Sequence, residues 1–283
     1  MSPAIFRFAP SPNGRLHLGH AFSALLNERM ASEAGGRFLL RIEDIDAARC
    51  TPELTQAMLA DLAWLGLHWE EPVLRQGAHP GPYREAQQAL RDRDLLYPCF
   101  CSRQDIARRA GPDAARDPEG RPLYPGTCRR MSAQERAARL ARGDPAAWRI
   151  DMTQALTLLG APLTFSEEGS GAAVEETARP EAWGDVVLAR KDIGTSYHVA
   201  VVVDDARQGV THVVRGRDLF EATAIHRLLQ HLLGLPAPRY FHHALVGDAA
   251  GHKLSKSLGS RSLRDLRQAG VSPRDVRKTL GFE

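Results

Sequence analysis

The first 65 residues alternate between short apolar runs and longer stretches with helical spacing of apolar residues. Short apolar runs bounded by Pro or Gly are typical of strands, and apolar residues spaced three and four apart are typical of helices. We predict, in order, strand Ile5–Phe8, a helix over 18–34, strand Arg37–Ile42 and a helix over 51–65 with Thr51 as its N-cap. This alternation indicates βαβ units and a parallel sheet.

The pattern weakens after residue 98 and returns near residue 185. Residues 108–125 are rich in Pro, Gly and charge, so we interpret 99–184 as an insertion with one strand at 146–151. Residues 197–203 (YHVAVVV) form the most apolar run, which we predict to be a strand covered on both faces. The other predicted elements are strands at 210–214 and 240–246, a helix at 218–233, and short basic helices at 262–268 and 272–280.

Length, composition and charge narrow the class of protein. A chain of 283 residues is long enough for about two domains. No apolar stretch reaches the roughly 18 residues of a membrane span, and the first ten residues lack a signal-peptide core, so we expect a cytoplasmic protein. From Arg190 onward, 15 Lys and Arg residues outnumber 9 Asp and Glu residues. That excess favours a polyanion such as a nucleotide or nucleic acid, although a solvated basic face is the alternative.

The tetrapeptide His17-Leu18-Gly19-His20 lies where the loop after the first strand enters a helix. Helix N-termini attract phosphate, and two imidazoles three residues apart share a helix face, where they can stabilise a displaced pyrophosphate. Gly19 leaves room for a base or sugar. Taken alone, the motif equally fits two partly exposed histidines at a helix start.

A second motif, Lys253-Leu254-Ser255-Lys256-Ser257, lies in a Gly-rich stretch. Two lysines and two serines on such a loop can close over a triphosphate, whereas a loop of this composition by itself is usually a solvated turn. The early HLGH and the late KLSKS on a βαβ chain form a specific pair.

This pair resembles the HIGH and KMSKS motifs of the class I aminoacyl-tRNA synthetases. The opening RFAPSPNGRLHLGHA and the segments RIEDID, PGTCR and RGRDL resemble the glutamyl-tRNA synthetase branch, and the resemblance covers essentially the whole chain. It implies an α/β fold, in which the parallel sheet of a Rossmann-like catalytic domain is split by a zinc-containing α+β subdomain. The implied divisions are 1–98 and 185–247 for the catalytic halves, 99–184 for the acceptor-type insertion, and 248–283 for the KLSKS loop and a short helical end.

The resemblance also implies how ATP is bound, with Mg²⁺ as its accompanying ion. His17 and His20 contact ATP, and Lys256 stabilises the triphosphate during attack, so these three are the expected catalytic residues. The remaining ATP-binding residues implied by the family are Gly19, Lys253, Ser255 and Ser257. Catalysis of this kind relies on positioning and electrostatics, without a covalent nucleophile on the protein.

A glutamate pocket needs an arginine for the side-chain carboxylate and an anion for the ammonium. Arg7, Glu43 and Arg215 end or follow predicted strands, so they converge on one crevice if the sheet is parallel; surface ion pairs are the alternative. The family resemblance implies that Arg7 and Arg215 bind the side-chain carboxylate, and that Glu43 and Tyr197 hold the amino group. It also implies a lining from the first loop, namely Phe8, Ala9, Pro10 and Ser11.

Three of the four cysteines form a candidate metal site, while Cys50 is isolated and expected to be buried. Cys99, Cys101 and Cys128 fall one ligand short of tetrahedral zinc, so three reduced thiols packed in a small domain remain an alternative. The family resemblance supplies Tyr124 as the fourth ligand of a structural zinc ion.

Only 26 residues follow Ser257, which leaves no room for an anticodon-reading domain. In this respect the chain resembles the truncated paralogues of glutamyl-tRNA synthetase, the glutamyl-queuosine tRNA(Asp) synthetases. They activate L-glutamate with ATP without tRNA and esterify it to the cyclopentenediol of queuosine in tRNA(Asp). The alternatives are a compact synthetase that charges the 3′ end of tRNA(Glu), and an inactive RNA-binding paralogue.

We expect a monomer without membrane contact. A set of basic residues near the C-terminal end is expected to meet RNA phosphate or to form a solvated helix face. These residues are Arg261, Arg264, Arg267, Arg274, Arg277 and Lys278.

Overall fold

The computed structural model describes residues 3–169, 172–247 and 261–282. Its strands are β1 Ile5–Phe8, β2 Arg37–Ile42, β3 Glu70–Arg75, β4 Leu96–Cys99, β5 Ala147–Ile150, β6 Thr164–Glu167, β7 Val174–Thr177, β8 Val187–Ala189, β9 His212–Gly216 and β10 Arg239–His243. Its helices are α1 Leu18–Glu33, α2 Pro52–Trp64, α3 Pro80–Arg91, α4 Arg103–Ala110, α5 Ala133–Ala141, α6 Met152–Thr157, α7 Tyr197–Arg207, α8 Thr223–Leu233, α9 Leu263–Gln268 and α10 Pro273–Thr279. None of the helices in these ranges is long and apolar enough to cross a membrane.

The large sheet has the strand order β3-β2-β1-β9-β10-β6-β7. Neighbouring strands from β3 to β6 are parallel, and the β6–β7 pair is antiparallel. β1 pairs with β2 on one side and β9 on the other, so the carboxyl ends of these three strands meet at one edge. This mostly parallel sheet confirms the predicted α/β class.

Alternate residues of the central strands enter two different apolar cores. Ile5 and Leu39 join the core that the sheet shares with α3, α7 and α8, whereas Phe6 and Leu40 join the core shared with α1, α2, α9 and α10. Successive side chains of a strand point to opposite faces, so both faces of these strands must be apolar. The short apolar runs that predicted β1 and β2 reflect this double covering.

Helix α1 is locked against the sheet by a polar contact and by a close approach of the backbone. Asn27 is fully buried and its Nδ2 donates to the carbonyl oxygen of Val214, 3.1 Å away. A Cβ added to Gly36 would lie 2.4 Å from the carbonyl oxygen of Ala4, so the entry into β2 requires glycine. The structure confirms the predicted helix and strand on either side of this turn.

The predicted strand at 197–203 is wrong, because these residues open helix α7. The hydroxyl of Ser196 caps this helix by accepting from the backbone N–H of Val199 at 3.4 Å. Residues Val199 to Val203 are buried between the sheet and helices α3 and α8. A helix that is covered on all sides has a continuous apolar sequence, which periodicity cannot distinguish from a buried strand.

Other predicted elements exist with shifted bounds. The strand at 210–214 is β9, the strand at 240–246 is β10, and the helix at 218–233 begins only at Thr223, after a short 3₁₀ turn over Arg217–Leu219. Strand β3 and helix α3 were not predicted. End residues are the least determined part of a sequence pattern, since caps and tertiary contacts set them.

The segment 99–184 contributes to two sheets. Its strand β5 lies between β4 and β8 in a small antiparallel sheet, and its strand β6 pairs with β10 and β7 in the large sheet. The strand predicted near 146–151 is therefore confirmed as β5. The domain divisions at 99, 185 and 248 stay a prediction.

Two of the basic residues near the C-terminal end hold α9 and α10 against α2. Arg277 Nε donates to the carbonyl oxygen of Leu65 at 2.9 Å, and Arg267 lies 3.7 Å from the buried carboxylate of Asp61. These two side chains therefore have a packing role, and contact of the basic set with RNA stays a prediction.

Candidate active site

A cleft of about 530 Å³ opens at the carboxyl edge of the large sheet. Its lining includes every predicted ATP and glutamate residue that lies in the described ranges, namely Arg7, Phe8, Ala9, Pro10, Ser11, His17, Gly19, His20, Glu43, Tyr197 and Arg215. The predicted residues Lys253, Ser255, Lys256 and Ser257 lie outside the described residues. The parallel sheet thus brings Arg7, Glu43 and Arg215 into one crevice.

The cleft also contains residues that sequence reasoning missed, namely Ser23, Val214, Gly216, Asp218, Leu219, His243, Leu245 and Val246. The rule that selected Arg215, a position at a strand's carboxyl end, applies equally to Gly216 and His243, which end β9 and β10. A Cβ added to Gly216 would lie 2.5 Å from Asp218 Oδ1, so another residue at this edge of the cleft would displace the Asp218 side chain.

The histidines of the HLGH motif lie side by side at the start of α1, with ring centroids 3.9 Å apart. His17 is the N-cap, and its Nδ1 accepts from the backbone N–H of Gly19 at 3.1 Å. His20 Nδ1 in turn accepts from the backbone N–H of His17 at 3.2 Å. Because both Nδ1 atoms are acceptors, each neutral ring carries its proton on Nε2, as an N–H donor.

Gly19 lies directly against the ring of His17. An added Cβ at Gly19 would lie 3.0 Å from Cε1 and 3.1 Å from Nδ1 of His17. A side chain at this position would therefore push the N-capping ring away from the helix start.

A buried ion network joins Arg7 to two residues that the sequence did not indicate. Asp205 Oδ1 accepts from Arg7 Nε at 3.0 Å and from Arg41 Nη1 at 2.7 Å, and Arg41 Nη2 donates to Glu43 Oε1 at 3.2 Å. Asp205 also accepts from Arg7 Nη2 at 3.5 Å, while Arg7 Nη1 makes no hydrogen bond to the described residues. The network holds Arg7 in one orientation and leaves Nη1 for a ligand in the cleft.

Burial and charge act against each other in this network. Burial opposes ionisation of Asp205, but the adjacent guanidinium groups of Arg7 and Arg41 hold the pKa of its carboxyl below the usual value. Burial raises the pKa of Glu43, and the same two arginines oppose that rise. A cationic ligand group beside Glu43 would favour its ionised form in the same way as these two arginines do.

Arg215 is also buried, yet its neighbours are all uncharged acceptors or neutral rings. All three of its nitrogens donate hydrogen bonds, to His242 Nε2 (3.1 Å), Tyr197 Oη (3.4 Å), His226 Nδ1 (3.1 Å), the Leu219 carbonyl oxygen (3.2 Å) and Thr223 Oγ1 (2.7 Å). No carboxylate among the described residues forms an ion pair with it. Within the described part of the chain, the positive charge of Arg215 therefore has no direct counter-ion.

The histidines near Arg215 are kept neutral. Burial lowers the pKa of His198 to about 4, and Arg215 contributes to that shift. Burial, with the positive charge of Arg215, also holds the pKa of His226 far below its usual value. The pKa of His242 is lowered by burial in spite of its hydrogen bond to Glu167. Neutral rings can accept hydrogen bonds from a guanidinium, which protonated rings cannot.

The family model for the catalytic domain of class I tRNA synthetases specific for E and Q matches residues 5–281. The chain belongs to this family. It is accordingly an enzyme of the aminoacyl-tRNA synthetase type, a ligase.

Similar proteins include two kinds of synthetase. The chain is 50% identical to a "Glutamyl-Q tRNA(Asp) synthetase" of Rhodobacter capsulatus, over 98% of this chain and 100% of that protein. It is 40% identical to a "Glutamate--tRNA ligase 2" of Nitrosococcus oceani, over 94% of this chain and 56% of that protein. The crystal structure of a glutamate-tRNA synthetase from Elizabethkingia anophelis superposes with a TM-score of 0.75 and 26% identity, over 95% of this chain. The chain spans about half (54%) of that solved synthetase.

The synthetase also has a thiol cluster, which lies apart from the cleft. The Sγ atoms of Cys99, Cys101 and Cys128 lie within 4.8 Å of one another. Cys101 Sγ is 3.6 Å from Cys128 Sγ and 3.7 Å from Tyr124 Oη. A tetrahedral zinc ion with Zn–S bonds of about 2.3 Å places its sulfur ligands ~3.8 Å apart. The four predicted ligands are thus brought together at a spacing that fits zinc.

The thiols of Cys101 and Cys128 differ in the direction in which their pKa values are shifted. Burial raises the pKa of Cys101 to about 11. Burial also opposes ionisation of Cys128, but hydrogen bonds from Tyr124 and from the backbone N–H of Phe100 lower its pKa overall. A thiolate is the form of cysteine that binds metal, so Cys128 is better prepared for it than Cys101.

Proposed function

We propose that the chain activates L-glutamate with ATP, without tRNA, and transfers the glutamyl group to the cyclopentenediol of queuosine in tRNA(Asp). The name of the Rhodobacter capsulatus relative, which this chain matches over its full length, supports the RNA acceptor. The single observation that supports glutamate as the amino acid is the charge pattern of the cleft, which is lined by Arg7, Arg215 and Glu43.

That pattern is complementary to glutamate. Arg7 Nη1 and the uncompensated charge of Arg215 suit the side-chain carboxylate, and Glu43, with the hydroxyl of Tyr197 nearby, suits the ammonium. The two ends of the amino acid are thereby distinguished by charge. The α-carboxylate is the remaining group, and it is the one that must react.

Activation requires an oxygen of the α-carboxylate to attack the α-phosphorus of ATP. A new O–P bond forms, the bond between the α-phosphorus and the bridging oxygen breaks, and pyrophosphate leaves with the electron pair. The N–H donors of His17 and His20 at the start of α1 suit the phosphate oxygens, and we assign to Lys256, with Lys253, Ser255 and Ser257, the stabilisation of the leaving pyrophosphate. In the second step a hydroxyl oxygen of the queuosine diol attacks the acyl carbon and forms the ester bond. The bond between that carbon and the phosphate oxygen breaks, AMP leaves with the electron pair, and the hydroxyl proton is released to solvent.

We further propose zinc at the thiol cluster, held by Cys99, Cys101, Cys128 and Tyr124, and Mg²⁺ as the ion that accompanies ATP. The zinc ion would be structural, because all four protein ligands fill its tetrahedron and leave no position for substrate. We also propose the division into catalytic halves 1–98 and 185–247, the insertion 99–184 and the segment 248–283.

A second candidate is a compact synthetase that charges the 3′ end of tRNA(Glu). The 40% identity to the Nitrosococcus oceani glutamate–tRNA ligase favours it, although the chain covers 56% of that protein. An inactive paralogue is disfavoured by the cleft, because charged groups complementary to glutamate line it together with the two histidines of the HLGH motif.

The test has two parts. Glutamate-dependent exchange of label between pyrophosphate and ATP, measured without tRNA, reports activation, and the Glu43→Gln variant should lose it. Labelled glutamate is then supplied with ATP and tRNA(Asp), with and without queuosine. We expect label only on tRNA with queuosine, and it should survive removal of the 3′-terminal adenosine. Label on tRNA(Glu), or label lost with that adenosine, would refute the proposed acceptor.

A further inference from the structure

We infer that His198, His226, His242 and Glu167, hereafter the histidine frame, hold Arg215 as the charged anchor for the substrate's side-chain carboxylate. This inference rests on the proposed activation of glutamate. The four residues are positioning residues, because they act on the substrate through Arg215.

The hydrogen bonds of the frame determine where each ring proton lies. Arg215 can only donate, so His242 Nε2 and His226 Nδ1 are both acceptors. The His242 proton is then on Nδ1, where it is donated to Glu167 Oε2 at 2.7 Å. The His226 proton is on Nε2, where it is donated to His198 Nδ1 at 3.3 Å. Each ring is therefore fixed in one tautomer by a partner on its far side.

The frame orients Arg215 without neutralising it. Arg7 shares the carboxylate of Asp205 directly, so much of its charge is already balanced. Glu167 is separated from Arg215 by the neutral ring of His242, and so its charge reaches the guanidinium only at longer range. Coulomb attraction falls with distance, so Arg215 retains more attraction for a ligand carboxylate than Arg7 does.

The frame also connects elements that are distant in the sequence. Thr223 and His226 lie three residues apart on α8 and both contact Arg215. His242 is on β10, next to Glu167 on β6, and the backbone N–H of His242 donates to Glu167 Oε1 at 2.8 Å. Glu167 belongs to the segment 99–184, so this segment supports Arg215 of the amino-acid pocket through His242.

Replacing a histidine of the frame by asparagine or glutamine tests whether its hydrogen bond positions Arg215. Each amide side chain can place an acceptor at only one of the two positions that the ring nitrogens occupy. Glutamine reaches the position of Nε2 and asparagine that of Nδ1. At residue 242 the variant His242→Gln keeps the acceptor for Arg215 and His242→Asn loses it. At residue 226 the order reverses, so that His226→Asn keeps the acceptor and His226→Gln loses it.

The measurement is glutamate-dependent exchange of label between pyrophosphate and ATP. In the two variants that lose the acceptor, we expect the KM for glutamate to rise about 10- to 100-fold, as for a lost hydrogen bond to a charged group, with the KM for ATP changed by less than about twofold. The preference for glutamate over glutamine should fall in parallel. The two variants that keep the acceptor should retain most of the affinity. His231→Asn, on the exposed side of α8, is the matched control and should behave as the unsubstituted protein.

Asparagine is expected to be the harmful substitution at residue 242 and glutamine at residue 226. This opposite order distinguishes a loss of positioning from a general loss of folding. If asparagine and glutamine have equal effects at each residue, or if the KM values for glutamate and ATP rise together, the frame does not position Arg215. If the unsubstituted protein shows no glutamate-dependent exchange, the proposed function itself fails. Exchange in the unsubstituted protein with an unchanged KM for glutamate in all four variants would overturn this inference alone.

Discussion

Replacing Asp205 by asparagine should be strongly destabilising, because its carboxylate is the centre of the buried ion network behind the cleft. Asp205 is 5% exposed and accepts from Arg7 and Arg41, which are 4% and 0% exposed. The amide keeps the shape of the carboxylate but removes its charge, so two buried guanidinium groups lose their shared partner. Arg41 would keep its ion pair with Glu43, 3.2 Å away, whereas Arg7 would have no ion pair with the described residues.

Removing one partner of a buried ion pair typically costs about 3–5 kcal/mol, because the other partner keeps its desolvation penalty without its counter-ion. We expect the Asp205→Asn variant to lose free energy of unfolding in this range. Asp192→Asn is the matched control, since Asp192 pairs with Arg190 at the surface and its side chain is 62% exposed. An exposed pair contributes at most about 1 kcal/mol.

Urea unfolding at pH 7, followed by tryptophan fluorescence and by circular dichroism, measures both variants against the unsubstituted protein. The slope against urea should stay constant if the same surface is exposed on unfolding. A loss for Asp205→Asn no larger than that for Asp192→Asn would refute the claim that the buried carboxylate stabilises Arg7 and Arg41.

Three further substitutions test other parts of the structure. Gly19→Ala should raise the KM for ATP, because its Cβ would lie 3.0 Å from the ring of His17. The control is Gly81→Ala in α3, whose Cβ would meet nothing within 4 Å; it should leave the KM for ATP unchanged and the fold equally or slightly more stable. Cys101→Ser should remove zinc from the purified protein, as measured by elemental analysis, and lower its thermal stability. The free energy of unfolding should fall between pH 6.5 and about 4, and it should fall less in the His198→Asn variant than in the unsubstituted protein. Urea unfolding at several pH values across that range measures the difference.

The sign of the pH effect follows from linkage. The pKa of His198 is lowered to about 4 in the folded chain and is about 6.5 when unfolded, so the unfolded chain takes up the proton first as pH falls. The contribution of His198 to the free energy of unfolding is therefore complete above pH 6.5, and up to about 3 kcal/mol of it is lost as the pH falls towards 4. An unchanged acid slope in the variant would contradict this origin.

The predictions for Gly19→Ala and Cys101→Ser can each be contradicted by a specific result. Equal effects of Gly19→Ala and Gly81→Ala on the KM for ATP would show that crowding of the His17 ring is unimportant. Zinc retained in Cys101→Ser, or lost equally from Cys50→Ser, would contradict the proposed ligand set, because Cys50 lies outside the cluster.

The sequence alone was sufficient for the parts of this protein that depend on local pattern. The spacing of apolar residues predicted β1, β2, α1 and α2, and the rule that ligands bind at the carboxyl ends of parallel strands selected Arg7, Glu43 and Arg215. Such features are encoded by neighbours in the chain or by a general property of parallel sheets.

Only the tertiary structure decided what surrounds those residues. Asp205 reaches Arg7 across 198 positions of sequence and Arg41 across 164, and Glu167 reaches His242 across 75. No local pattern indicates such partners. The apolar run at 197–203 likewise became a helix, because burial on all sides removes the periodicity that distinguishes helix from strand. The sequence determined which charged groups reach the cleft, whereas packing decided which of those charges are already balanced and which remain for a ligand.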